Sequence, residues 1–233
     1  MTPTFKPHME ILPPAQQRLW PELKLAADLG FVLYGGTAIA LRLGHRSSID
    51  FDFFTDRPLD RNAIQVAFPF MTQSTVVQDE RNTLSVLVPY GDSEHTHVKV
   101  SFFGVIGFGR VGKPDPTEDG TLQVASLDDL MATKVKVVLQ RAEAKDYRDI
   151  AEMVKAGVSL STGLASARAM FGNTFQPSES LKAMVYFKDG DLHTLTKDIK
   201  STLVRAVSAV RQLPLVDITS LQLAGAGGES MTR

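Results

Sequence analysis

At 233 residues the chain is long enough for one sizeable core, or a core with an appendage, and too short for several large independent domains. With 43% hydrophobic and 22% charged residues and a formal net charge of -1, it has the make-up of a folded protein without a global pull toward nucleic acid or anionic membrane. It holds no cysteine, which excludes disulfides, thiolate metal sites and thiol nucleophiles.

The opening MTPTFKPHMEILPP lacks the apolar core of a signal peptide, and no run approaches the roughly 20 apolar residues that cross a bilayer. A cytoplasmic protein without membrane association is the expectation. From Pro14 to Leu29 the apolar residues Leu19, Trp20, Leu23 and Ala26 recur at helical spacing, and Gly30 stops them, which predicts an opening helix. The short apolar run Phe31-Val32-Leu33-Tyr34 then meets Gly35-Gly36, and TAIALRLG resumes helical spacing up to Gly44. Strand, tight glycine turn and helix follow one another.

IDFDFF alternates apolar and acidic residues, the period of a strand with Ile49, Phe51 and Phe53 on one face and Asp50 and Asp52 on the other. STVVQ, TLSVLVPY and HVKVSFFGV are further strand candidates. After the Gly- and Pro-rich GRVGKPDPTEDG the period becomes helical, with helices at about 127-143, 147-156, 162-171, 178-188 and 194-212. The expected organisation is an α/β core over 1-120, a helical part over 121-223, and a frayed tail over 224-233 with too little apolar surface to be packed.

The chemistry concentrates in the turn and the acidic strand. A divalent cation on a triphosphate needs carboxylates on one surface, because it bridges phosphate oxygens and offsets charge on the attacking and leaving oxygens. Asp50 and Asp52 meet that need. A double glycine leading into a helix offers bare backbone N–H groups and the positive end of the helix dipole to phosphate, as Gly35, Gly36 and Thr37 would. Plain turn geometry and a solvent-facing strand would explain each half alone; their adjacency favours a site. Further on, Lys134 falls on the apolar face traced by Leu127, Leu130, Met131, Val135 and Val138. It either snorkels to water or reaches phosphate. Asp146 and Asp149 read as a helix cap with first-turn charge or as site residues. The H-x-H pair His95 and His97 reads as a solvated strand end.

YGGTAIALRLGHRSSIDFDFF resembles the opening motif of the AbiEii/AbiGii nucleotidyltransferase toxins, where a Gly-Gly-Thr turn and helix lead to an R-x-S-x-D-h-D-h-F strand. Arg46, Ser48, Asp50 and Asp52 fill that pattern. LDDLMATKVKVVLQRAEAKDYRDI resembles the second signature, an inward Lys, then an Arg, then D-x-x-D, filled by Lys134, Arg141, Asp146 and Asp149. The resemblance implies an α+β fold: a nucleotidyltransferase-like mixed β-sheet core with flanking helices, followed by a mostly helical C-terminal part. It implies a bacterial toxin of a toxin–antitoxin or phage-defence pair that moves a nucleotidyl group from an NTP to an acceptor hydroxyl. RNA such as tRNA, or a protein, would be the acceptor, and an antitoxin the protein partner. In that reading Asp50 and Asp52 hold Mg²⁺, and Gly35, Gly36, Thr37, Arg46, Ser48 and Lys134 contact the nucleotide. Asp146 would take the acceptor's proton, with Lys134 counted beside it and the two acids as catalytic. Arg46 could instead pair with a surface carboxylate, and Ser48 could serve the backbone. The family commonly places a third acid on a neighbouring strand, and HVKVSFF offers Ser101 there. That departure supports an alternative, a catalytically weakened member acting as a nucleotide- or partner-binding module.

Overall fold

The computed structural model describes residues 3–89 and 97–225, and its chain forms two units. The first takes the residues up to Gly109, Lys113–Ala125 and the residues from Ser220; the second takes Arg110–Gly112 and Ser126–Thr219. Among the described residues no helix is long and apolar enough to cross a membrane.

The first unit is built on a mixed seven-stranded sheet. Its strands are β1 (Val32–Tyr34), β2 (Asp50–Phe54), β3 (Thr75–Glu80), β4 (Thr83–Pro89), β5 (His97–Phe103), β6 (Asp115–Pro116) and β7 (Gln123–Val124). They lie in the order β3-β4-β5-β2-β1-β7-β6. β2 runs antiparallel to β1 and parallel to β5, with Asp50 beside Lys99 and Asp52 beside Ser101. Alternation does the sorting here. Phe51, Phe53, Val98, Val100 and Phe102 are buried on one face, where the rings of Phe53 and Phe102 stack at 5.6 Å and Phe31 and Phe68 close on Phe102 at 5.1 and 5.4 Å. Each such ring contributes about 1.5–3 kcal/mol by leaving water, which pins the register, since a one-residue slip would put the carboxylates in the core.

The helices of this unit are α1 (Pro14–Leu19), α2 (Gly35–Leu43) and α3 (Arg61–Ala67). The single helix expected over 14–29 is instead α1 followed by a 3-10 segment, Trp20–Ala26. Pro21 is the cause: it has no N–H to continue the α ladder and clashes with the carbonyl one turn back. Arg42 fastens α2 to the sheet edge, donating to the carbonyls of Ala125 and Val124 and to Asp115, each at 2.9 Å. Ile49, expected on the buried face of the acidic strand, precedes β2 and is 58% exposed. The strand expected at STVVQ forms as β3, exposed throughout at the sheet edge. Just before the expected tail Leu223 is buried, its N–H bonded to Asp56 at 3.0 Å, and the Gly225 N–H bonds Gln123 at 3.0 Å; the tail beyond Gly225 lies outside the described residues.

The second unit is helical: α4 (Leu127–Val137), α5 (Ala144–Lys155), α6 (Leu160–Phe171), α7 (Pro177–Met184) and α8 (Lys197–Ala209). Ser126 caps α4, accepting the Asp129 N–H at 3.1 Å. Asp129 in turn accepts the N–H groups of Val111 and Gly112, which ties that strip of chain to the helix start. α6 presses on α4 at Gly163, where a Cβ would come within 2.2 Å of Met131. Burying the helix faces leaves charges inside. Lys134 of α4, its side chain 7% exposed, places Nζ 2.5 Å from Asp146 and 2.8 Å from Asp149 of α5, both carboxylates being 0% exposed. Arg141 donates to the same Asp146 at 2.8 Å. α4 is therefore bolted to α5 by charge as well as by apolar contact.

A buried pair stripped of one partner leaves an uncompensated charge, at a cost of about 3–5 kcal/mol. Lys134→Met should lower the melting temperature by that equivalent at pH 7, and the loss should shrink as pH falls and the abandoned buried carboxylates take up protons. In the wild type, burial alone would raise the Asp146 carboxyl, but the hydrogen bond from Arg141 and the charge of Lys134 outweigh it and hold it below the ordinary carboxylate range. Its contribution to stability is thus complete above that range and fades as pH falls through the depressed value. Melting curves against pH read both effects, and a variant that melts with the wild type at pH 7 would mean the cluster carries no stability.

Candidate active site

Each unit carries its own group of the residues singled out from the sequence. In the first, β1 ends at Tyr34 and α2 begins at once with Gly35, whose φ of 74° lies in the left-handed region. A side chain there would be strained, and its Cβ would fall 2.5 Å from Oδ2 of Asp52. The turn is bare because the Asp52 carboxylate lies against it. The N-cap residue Tyr34 gives α2 no side-chain cap, and the helix begins with the positive end of its dipole at this turn.

Asp50 and Asp52 are half-buried on one face of β2 with Phe51 and Phe53 behind them, as alternation predicts. Thr37 and Ser48 meet behind this pair. Their hydroxyls lie 2.7 Å apart and Thr37 also donates to the Asp50 carbonyl, so both buried hydroxyls clamp the start of α2 to the start of β2. Arg46, half-buried, donates to the Ser47 carbonyl at 3.0 Å among its contacts.

Next to Asp52, on the same face, stands Ser101. It is 1% exposed and accepts a hydrogen bond from Ser85 of β4 at 3.1 Å. Ser85 was invisible to sequence reasoning, although the β4–β5 register that pairs it with Ser101 follows from two adjacent alternating strands. Among the described residues no three His, Asp or Glu side chains gather as a ready-made metal cage. Two hard carboxylate donors on one face nevertheless suit an oxygen-seeking divalent cation that completes its shell with substrate oxygens and water. His95 lies outside the described residues, so the H-x-H reading goes no further; His97 begins β5 and is exposed.

The second unit holds Lys134, Arg141, Asp146 and Asp149 in the ion cluster already described. Lys134 does not snorkel. Asp146 does not cap α5 either: the helix starts two residues earlier, and the Ala144 N–H is met by Asp191 at 2.6 Å. The expected proton acceptor at Asp146 fits poorly. A carboxylate fully buried, paired with two cations and held below its ordinary range has little affinity for a proton.

Comparisons with known proteins identify the family and the fold. The model of the family described as nucleotidyl transferase AbiEii toxin, type IV toxin–antitoxin system, matches residues 22–207. An uncharacterized protein of Aquifex aeolicus is 29% identical over 162 residues, which cover 68% of this chain and 74% of that protein. Among solved structures the chain is similar to MenT4, a nucleotidyltransferase toxin of Mycobacterium tuberculosis, with a TM-score of 0.52 and 12% identity over 88% of this chain and 85% of that one, a likeness of fold. The family match runs from before the glycine turn into α8 and takes in both groups of residues: the chain belongs to the AbiEii family of nucleotidyl transferase toxins of type IV toxin–antitoxin systems.

Proposed function

We propose that this nucleotidyltransferase uses Mg²⁺ to move a nucleotidyl group from a nucleoside triphosphate to an acceptor hydroxyl, with an RNA such as tRNA as the acceptor, and that an antitoxin restrains it in the cell. The observation that carries the reading is the contact of the Asp52 carboxylate with the bare Gly35 turn, which sets a pair of carboxylates and a helix N-terminus side by side. Asp50 and Asp52 hold the metal; when bound, it neutralises triphosphate charge and polarises the phosphorus under attack.

The chain's own part is positioning. Gly35, Gly36 and Thr37 offer backbone N–H groups to the phosphates, and Thr37 with Ser48 keeps that turn in register with β2. Arg46, just before the acidic strand, adds a cation on the approach to it. The acceptor oxygen bonds to the α-phosphorus, the bond from that phosphorus to the bridging oxygen breaks, pyrophosphate leaves, and the acceptor hydroxyl's proton passes to solvent water. We assign Asp146 to holding Lys134 rather than to taking the acceptor's proton. The Lys134 ammonium engages the Asp146 and Asp149 carboxylates within its own unit.

A second reading, a weakened site that binds nucleotide with little turnover, rests on Ser101 standing beside Asp52 where a third carboxylate would complete the metal shell. Turnover is tested directly by incubating the protein with each labelled NTP, Mg²⁺ and total RNA; label in RNA is the expected result, and none with any NTP would sink the transferase reading.

Two binding experiments address the site. Mg²⁺ with an NTP at about a hundred times its Kd should stabilise the fold by about 2.7 kcal/mol, a melting shift of several degrees. Asp50→Asn with Asp52→Asn should remove most of that shift while the unliganded melt stays in place; an undiminished shift would put the metal elsewhere. Ser101→Asp adds a buried carboxylate beside Asp52, so its melting temperature in chelator should fall, with Mg²⁺ restoring it and binding more tightly than to the wild type. Higher transfer activity in that variant marks a weakened enzyme, and tighter Mg²⁺ without activity marks a binding module.

A further inference from the structure

The face of the sheet that carries Asp50 and Asp52 changes character one step along β2. Phe54 lies two residues beyond Asp52, on the same side at roughly 6–7 Å. The parallel register sets Phe103 beside Phe54, and the antiparallel one sets Tyr34 beside Asp52. Tyr34 and Phe54 stack, with centroids 4.9 Å apart and planes at 13°. Phe103 meets Phe54 edge to face at 5.2 Å, and Phe108 stands 6.3 Å from Phe54. Tyr34 is buried, whereas Phe54, Phe103 and Phe108 remain half-buried. These rings do not belong to the sheet's core, which lies on the other face around Phe51, Phe53 and Phe102.

The loop that delivers Phe108 is held in an unusual shape. Val105 has a φ of 55°, the left-handed value that a β-branched residue adopts at a cost of about 1–3 kcal/mol. Three backbone hydrogen bonds enforce it: Gly104 to the Asn82 carbonyl, Val105 to Arg57 and Ile106 to Thr55, at 2.9, 2.9 and 3.0 Å. The loop therefore fixes where the Phe108 ring stands.

From this arrangement we infer that Phe54 and Phe103 form the wall on which the nucleobase of the triphosphate stacks, with the Val105 loop fixing Phe108 at its edge. The inference rests on the proposed transferase site, and the order of groups along β2 supports it. Asp50 and Asp52 precede Phe54 along one face of β2 and Asp52 lies against the Gly35 turn, so a nucleotide whose phosphates sit at the acids and the turn would extend its base toward the rings. An aromatic wall suits any base, because every base has a π-face.

Phe103→Leu keeps the apolar volume and removes the ring. Mg²⁺-NTP affinity, by calorimetry on the full chain, should fall on the order of tenfold, while affinity for Mg²⁺ with inorganic triphosphate stays at the wild-type value. Phe103→Trp should keep NTP affinity, and because Trp20 is the chain's own single tryptophan, the added indole reports locally: its emission should be quenched by NTP and not by inorganic triphosphate. Unchanged NTP affinity in the leucine variant, equal losses for both ligands, or an indole indifferent to NTP would each overturn the wall. A wild-type chain that binds triphosphate but gains nothing from a base overturns the wall alone; one that binds neither overturns the transferase site and the wall with it.

Discussion

Asp50 and Asp52 stand two residues apart on one face of a strand whose other face holds Phe51 and Phe53, and that alternation governs the first unit. The phenylalanines can leave water only if the carboxylates turn the other way, and two like charges side by side on a half-buried surface favour a cation nearby. Everything adjacent is arranged around this pair. β1 ends where Asp52 needs room, so the residue after Tyr34 is glycine with a left-handed φ; Thr37 and Ser48 tie helix and strand together behind the acids. The aromatic strip begins where the charge stops.

In the second unit the corresponding constraint is the burial of charge rather than its display. An isolated lysine on an apolar helix face is costly to desolvate, and the same holds for two carboxylates in the first turns of α5. Brought together they offset one another, and Arg141, half in solvent, makes the total two positive and two negative. Such a cluster adds less stability than an apolar core of equal volume would, but it tolerates no mispairing. It specifies which face of α4 meets which face of α5 more sharply than Leu, Met and Val contacts do.

Legibility in the sequence followed the range of the interactions. The glycine turn, the acidic strand and the change to helix after the linker are local patterns of period and residue type, and each forms where its pattern stands. Ser101 beside Asp52 was also within reach, because β5 alternates and needs only β2 as its neighbour. The break at Pro21 was legible and is owed to proline chemistry that helical spacing alone overlooks. The environment of Lys134 was not legible. Periodicity places it on the inward face of α4, but that Asp146 and Asp149 wait there depends on how α5 packs, and three residues' difference in where α5 begins separates a capping Asp146 from a buried one. The aromatic strip was hidden for the same reason: Tyr34, Phe54, Phe103 and Phe108 lie on three strands' worth of sequence and one loop, and only sheet order brings their rings together.

The serine beside Asp52 bears on how this fold carries its site without a ligand. Three carboxylates on adjacent strands would repel strongly in the absence of metal, and one of them, at a position with 1% exposure, would also bear the cost of desolvation. A hydroxyl there is neutral, finds Ser85 as its partner and leaves the sheet stable whether or not a cation is present. The consequence is a site held less tightly by its own ligands and more by its substrate, since the triphosphate must supply the oxygens a third acid would have given. Metal and nucleotide binding are then coupled. In the proposed site the contacts offered to the nucleotide at the glycine turn and the inferred ring wall would also govern how well a metal is held, so affinity for one would depend on the presence of the other.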